Sequence, residues 1–397
     1  MTGTKVNDRS VRVWCVFGTR PEVIKQWPVV RALERYPSVE VRKVFTGQHA
    51  DLAHSLIKQL EMQPDLTTDT MRPSQELAAL FGRTLEQMAK LMRRDAPDLV
   101  LVQGDTVSAT AAAFAAFLGH VPVGHVEAGL RSGDLQAPFP EEALRITIDG
   151  MTDLAFCPTP LARSNVAAGA RRYRRRLYLT GNTAVDAARE ILRSRKYRPT
   201  ADVARWVRSR RPLLFVTLHR RENHGPPLRA VLEGLADFLA RFPDIRCVLP
   251  AHPNPTVQSI LSDFRARLPA GAIVPPLSYV DTLHVIRASS LILTDSGGIQ
   301  EEGPALGHRV LVARTVTERP EGIAAGVARL VHLDACAILD ALTQEWARVR
   351  TGDASFSPDG MSPYGDGSAG LRIADAAVHF LLGTPRTTRD LTSIDFE

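Results

Sequence analysis

The 397-residue chain is poor in cysteine and in aromatic side chains, which make up only 6%. Its four cysteines, Cys15, Cys157, Cys247 and Cys336, stand far apart and form no CxxC pair. That spacing excludes a disulfide framework and a zinc ribbon, so no metal is expected and a reduced, cytoplasmic setting is. Three of the four lie among apolar neighbours and read as small core residues. No apolar run reaches the roughly 18 residues that a membrane span requires, so no membrane partner is expected. Residues 1–10 are polar, carry no signal-peptide pattern and read as disordered. No GxGxxG fingerprint opens a helix, so no dinucleotide cofactor is expected either.

Charge of one sign is in mild excess, at +6. The surplus is scattered arginine, and its one dense run, Arg171–Arg176, reads as a solvated loop. No zinc-finger, RNP or helix-turn-helix signature accompanies it, which argues against a nucleic-acid partner. A cleft for a small anionic substrate accounts for a basic balance equally well.

What the chain does have is a soluble, globular composition, with 44% hydrophobic and 23% charged residues. Its length suits two domains. Short apolar runs alternate with helical patterns throughout: Val11–Val16, Val39–Phe45, Asp98–Val102, Pro122–Val126 and Leu154–Pro158, then Leu213–Thr217, Arg246–Pro250, Ile273–Pro275, Leu291–Leu293 and Arg309–Val312. This is the pattern of parallel sheets covered on both faces. The fold class is therefore α/β, with two Rossmann-like doubly wound domains facing a cleft. We place the first at residues 1–185 and the second at 186–370. The segment 196–211 reads as interdomain, and residues 371–397 as a final helix returning to the first domain with a mobile tail beyond Gly383.

Nearly every polar cluster falls just after an apolar run, where doubly wound sheets bind ligands. The clearest is Asp295-Ser-Gly-Gly298 after Leu291–Leu293. Asp295 and Ser296 are N-cap candidates, and Gly297 and Gly298 let an anion approach the first-turn amides of a helix over 299–306. Glu301 and Glu302 follow inside that helix; a carboxylate there suits neutral sugar hydroxyls rather than phosphate. In the first half, Arg20 and Lys25 follow the first strand, either to meet an anion or to pair with Glu22.

The ordered set of Gly18-Thr-Arg-Pro-Glu-Val-Ile-Lys25, Thr46-Gly-Gln-His49, Val102-Gln-Gly-Asp-Thr106, His125-Val-Glu-Ala-Gly-Leu-Arg131, Pro140-Glu-Glu142 with Arg145, Gly181-Asn182, His219-Arg-Arg-Glu-Asn223, His252 with Asn254 and Pro255, Asp295-Ser-Gly-Gly-Ile-Gln-Glu-Glu302, Thr317-Glu-Arg-Pro-Glu321 and Pro363-Tyr-Gly-Asp-Gly367 resembles the non-hydrolysing UDP-N-acetylglucosamine 2-epimerases, whose architecture is GT-B-like. The match spans nearly the whole chain. The resemblance implies interconversion of UDP-GlcNAc and UDP-ManNAc by elimination of UDP to a 2-acetamidoglucal and re-addition, with no cofactor, by a homodimer. The C2 proton is not acidic, so its removal must be coupled to departure of the anomeric phosphate, which calls for a base and for charge stabilisation.

By that resemblance Asp105, Glu127 and Glu141 are the acid/base carboxylates, and His219 assists the leaving diphosphate. Arg20, Lys25, Arg145, Arg221, Ser296, Gly297, Gly298, Glu302 and Arg319 bind substrate, with Glu302 on the ribose hydroxyls and Glu321 in the same wall. Asp366 shapes the cleft or simply caps a turn. Gln48, Gln75 and His252 match a regulatory site for a second UDP-GlcNAc, although Ser74 and Asp51 depart from it. Leu144 stands where the family carries asparagine after Pro-Glu-Glu; Leu218, Thr315, Val316 and Trp27 are further departures. Three other outcomes stay open: a hydrolysing enzyme that releases ManNAc and UDP, an epimerase of a related UDP-sugar in secondary metabolism, and a glycosyltransferase or non-catalytic UDP-sugar binder.

Overall fold

The computed structural model describes residues 10–48, 50–72, 76–169, 175–209, 211–352 and 362–391. Gln75, Ser74 and most of the Arg171–Arg176 run lie outside the described residues, as do the side chains of Asp51 and Arg221. The chain folds into two compact units. One takes the residues up to Ala187 together with those from Tyr364 on, and the other takes Ala188–Pro363.

The first unit is built on a seven-stranded sheet. From edge to edge its strands are Leu66–Thr67, Val39–Phe45, Val11–Phe17, Leu99–Gln103, Val123–Val126, Leu154–Cys157 and Arg176–Leu179, all parallel. The four central strands are almost wholly buried, which is why they read as unbroken apolar runs rather than alternating ones. One face carries the helix Val107–Leu118, whose alanines 109, 112, 113 and 116 pack close against Trp14, Val100 and Val102. The helix Arg20–Leu33 packs against the late helix Ala369–Leu382, which belongs to this same unit.

The second unit repeats the plan with six parallel strands: Ile273–Val274, Arg246–Pro250, Leu213–Thr217, Leu291–Thr294, Val310–Val312 and Ala328–Leu330. Its core gathers Leu214, Val216, Leu232, Leu235, Phe238 and Leu293 with the helix Ala335–Thr351. Both sheets are α/β, Rossmann-like and doubly wound, the pairing of domains found in GT-B-like proteins. In each, strand order reverses beside the first strand of the unit. The two reversal points lie between Val11–Phe17 and Leu99–Gln103, and between Leu213–Thr217 and Leu291–Thr294.

Two expectations are corrected. Residues 196–211 are not a linker: they hold the helix Ala201–Arg208, Tyr197 and Val203 are buried, and Thr200 bonds Asp281 at 2.8 Å through its backbone amide. The apolar residues spaced among the charges there supply a buried face. The tail is also held further than Gly383. Asp375 accepts hydrogen bonds from the amides and hydroxyls of Thr387 and Thr388, and the Leu391 amide donates to the Leu179 carbonyl. Residues beyond 391 lie outside the described residues.

Candidate active site

In the first unit, the loops after the strands on either side of the reversal point carry the predicted acids. Gln103 pairs with Val126 across adjacent strands, so Asp105 and Glu127 leave neighbouring strand ends. Glu127 adopts φ +71°, a left-handed conformation that a non-glycine residue holds only under constraint. The constraint is visible. Lys25 Nζ donates to Glu127 Oε1 at 2.6 Å, and Gln103 Nε2 donates to Oε2. Both partners of the ion pair are largely buried, with side-chain exposures of 9% and 7%.

Asp105 is gripped by Arg145, whose second nitrogen binds Glu142 at 2.7 Å. Glu142 is 1% exposed and also accepts from the Gly133 amide. Sequence reasoning chose Glu141 from this pair and passed over Glu142. Glu141 opens the helix Glu141–Met151 at its positive end, and Glu142 is the ion-pair partner. Leu144 sits between Glu142 and Arg145, half-buried, with no polar group to offer.

Glu22 does not pair with Arg20 or Lys25. It turns back to accept from the amides of Gly18 and Thr19, both at 2.7 Å, and from the Thr106 hydroxyl. It therefore joins the first-strand turn to the Asp105 turn. Burial pushes its carboxyl upward, against these hydrogen bonds. With Glu22 engaged elsewhere, the Lys25 charge is directed to Glu127. Arg20 opens the helix Arg20–Leu33. Gln48, assigned to a regulatory site, accepts from the Ser108 amide at 3.1 Å and hydroxyl at 2.7 Å.

The second unit gathers its predicted residues in the same way. Ser296 is the N-cap of the helix Gly297–Ala305, which starts two residues earlier than expected. Asp295 does not cap that helix. Fully buried, it accepts from the amides of His219 and Arg220 and from Asn223 Nδ2, and faces His219 Nδ1 at 3.2 Å. Burial pushes the Asp295 carboxyl up, but His219 and these amides outweigh it and hold it below the usual carboxylate range. The His219 ring stacks on His252, with centroids 5.4 Å apart and planes at 21°. His252, expected at a separate regulatory site, thus stands against His219. Burial first, and His219 second, lower its proton affinity. Arg221 opens the 3-10 turn Arg221–Asn223.

Arg319 lies over the start of the helix. A Cβ on Gly297 would come within 2.9 Å of its guanidinium, so any larger residue there has to displace Arg319 from its place. Arg319 Nε donates to Glu301 at 2.6 Å, and Nη1 to Glu318 at 3.3 Å. Arg314 donates to both Glu318 oxygens, sharing Oε2 with Arg319, and also binds Glu222. Burial opposes the charge on Glu318, yet Arg319 and Arg314 hold it at about 2. First-turn amides of a helix, with a guanidinium beside them, make a corner that can receive an anion. Glu302 is 5% exposed and accepts from the Tyr279 hydroxyl at 2.9 Å, one helical turn beyond that corner. Glu321 lies in the short helix Pro320–Ala324. Asp366 is a turn residue bound bidentately to Arg372 at 2.7 and 2.6 Å, and this favours the turn reading.

Sequence reasoning missed Gln103, Glu142, Tyr279, Arg314 and Glu318. Gln103 lies inside a quoted motif, and its place at the strand end two residues before Asp105 was the available signal. Glu142 and Glu318 pair locally, with Arg145 three positions on and Arg314 four positions back, while Tyr279 reaches Glu302 across 23 positions. Among the described residues, no group of histidine, cysteine or acidic side chains could hold a metal ion, and no helix is long and apolar enough to cross a membrane.

A family model described as UDP-N-acetylglucosamine 2-epimerase matches residues 31–377. The chain is 38% identical over 376 residues to the Escherichia coli K12 UDP-N-acetylglucosamine 2-epimerase, covering 92% of this chain and 98% of that one. Among solved structures, the S. aureus MnaA–UDP complex superposes with a TM-score of 0.85 at 34% identity, covering 96% of this chain and all of the other. The Neisseria meningitidis UDP-GlcNAc 2-epimerase bound to UDP-GlcNAc gives 0.84 at 32% identity, covering 94% and 100%.

Proposed function

The chain belongs to the UDP-N-acetylglucosamine 2-epimerase family, and on that premise we propose that it interconverts UDP-GlcNAc and UDP-ManNAc without hydrolysis. One observation carries the reading: two adjacent strand ends present two carboxylates under different control. Glu127 is locked by Lys25 and Gln103, and Asp105 by Arg145. Carboxylates held in different fields are suited to different proton tasks.

The proposed reaction removes hydrogen from C2 while the bond from C1 to the diphosphate oxygen breaks. The products are a 2-acetamidoglucal and UDP. UDP then re-adds at C1 and a proton arrives on the opposite face of C2. Asp105, Glu127 and Glu141 divide the proton transfers. The second unit holds the nucleotide: the amides after Ser296 and the Arg319 guanidinium receive the diphosphate, and Glu302 the ribose. His219, oriented by Asp295, assists the departing phosphate oxygen. Arg20 and Arg145 complete the substrate contacts by resemblance. We assign His252 to the His219 pair: two stacked imidazoles disfavour a second positive charge, which leaves one ring neutral for proton exchange. The reaction as written needs no metal and no redox cofactor. A homodimer acting in the cytoplasm completes the proposal, and light scattering on the purified protein tests the dimer.

The direct test is to incubate the protein with UDP-GlcNAc and follow the sugar by NMR. UDP-ManNAc accumulating to an equilibrium mixture supports the proposal. Free ManNAc and UDP appearing together indicates the hydrolysing reaction. Tight UDP-sugar binding with no product indicates a binder.

A further inference from the structure

His125 lies at the centre of the first sheet with no exposed surface, and both of its ring nitrogens face acceptors. Nδ1 is 2.7 Å from Asp149 Oδ1, and Nε2 is 2.8 Å from the Gly104 carbonyl oxygen. A carbonyl can only accept. A neutral imidazole has one N–H, so it could serve only one of these two partners unless Asp149 itself carried a proton. The surroundings of Asp149 oppose that. Its Oδ2 accepts from Arg131 Nη2 at 2.6 Å and from the Gly129 amide at 3.2 Å. Burial raises the Asp149 carboxyl, but His125 and Arg131 outweigh it and keep it low. Cys157, on the next strand, is pushed well up by burial and stays neutral.

We infer that His125 donates through both ring nitrogens, and that it is a positioning residue for the Asp105 turn. The Gly104 carbonyl it grips belongs to the peptide that leads into Asp105. Gly104 has φ +72° and so has no side chain to fix its orientation. Gln103, immediately before, holds Glu127. One ring therefore sets the direction of the segment that carries one acid and restrains the other. A neutral hydrogen bond would do this weakly; a charged donor in a buried site does it about twice as strongly. Its charge is balanced by Asp149, itself shared with Arg131, so the unit is a buried cation–anion–cation row on the inner side of the acidic cluster. None of the three touches substrate in this scheme.

The kinetic half of this inference rests on the epimerase reading; the protonation half does not. Nitrogen NMR of the folded wild-type protein, labelled in its histidine rings, reads the charge directly. We expect both His125 nitrogens to carry a proton in the folded protein. A single protonated nitrogen would overturn the inference whatever the enzyme does. Asp149→Asn should leave every hydrogen bond of the ring satisfied, with the new amide donating to Nδ1, and so return a neutral ring protonated on Nε2 alone. His125→Gln offers one donor group where two acceptors wait. It should lower kcat on the order of tenfold to a hundredfold, the scale of a small misplacement of reacting groups, while UDP affinity in the second unit stays unchanged. An unaltered kcat would remove the positioning role. Should His125→Gln fail to fold, Asp149→Asn tests the charged donor instead: a kcat lowered severalfold supports it, and a wild-type kcat overturns it.

Discussion

The pairing of Lys25 with Glu127 makes a prediction that depends on pH. Replacing Lys25 with Met keeps the apolar stem and removes the charge 2.6 Å from Glu127 Oε1. At that distance, and with an effective dielectric near 20, the attraction is about 6 kcal/mol before desolvation is counted. Breaking one side of a buried pair costs about 3–5 kcal/mol in practice. A second route limits the loss. Glu127 can take up a proton instead of staying charged, and for an ordinary glutamic acid this costs about 4 kcal/mol near pH 7 but only about 1 kcal/mol near pH 5. The destabilisation of Lys25→Met should therefore be large at neutral pH and shrink severalfold in mild acid. Glu127→Gln in the same background should recover much of the neutral-pH loss, giving a coupling of about 2–3 kcal/mol. Urea unfolding measures both. Trp14 and Trp27 are buried in the first unit, so their fluorescence in a Trp206→Phe, Trp346→Phe background reports on the unit that holds the pair. Equal losses at the two pH values, or purely additive single changes, would refute the reasoning.

Further outcomes follow from the same geometry. Gly297→Ala drives a methyl group into the Arg319 guanidinium and should weaken UDP binding by about 1.5–3 kcal/mol, the worth of a hydrogen bond to a charged group, with little change in melting temperature; calorimetric titration decides it. Glu318 is held at about 2, so its stabilisation is present above the usual glutamate range and lost as pH falls toward 2; Glu318→Gln should cost at most about 3 kcal/mol at neutral pH and nothing in strong acid, read from denaturation across pH. Asp186 runs the other way. Burial lifts it to about 7 against the amides of Gly370 and Ala369, so the folded state holds a proton that the unfolded chain has released. Stability should fall as pH rises from about 4 to 7, and Asp186→Asn should abolish that slope and gain at most about 4 kcal/mol above it.

The strands were legible because parallel sheets bury both faces, and runs such as Leu99–Gln103 and Leu213–Thr217 carry no polar interruption. The two-residue edge strand Leu66–Thr67 and the mostly exposed Ala328–Leu330 lack that signal and were not foreseen. The site residues stood out as polar clusters directly after strands, and Asp105, Glu127, His219 and the glycine turn fall where that rule puts them. Their pairing was not legible. Lys25 reaches Glu127 across 102 positions rather than Glu22 three away, because Glu22 is consumed by backbone amides that only the folded turn exposes. That Glu142 rather than Glu141 pairs with Arg145 likewise follows from helix geometry, since adjacent residues on a helix point about 100° apart. His125 and Asp149 carried no sign of charge at all in the sequence. Their meaning comes from two acceptors flanking one buried ring.

The account stands on removal and return of the C2 hydrogen by carboxylates of the first unit. The measurement that tests this most directly is incubation with UDP-GlcNAc in deuterated water, beside the Asp105→Asn and Glu127→Gln variants. Wild-type protein should place deuterium at C2 of the nucleotide sugar as the two epimers interconvert, and both variants should lose most of that exchange while still binding UDP. Epimers forming with hydrogen retained at C2, or variants exchanging at the wild-type rate, would contradict it.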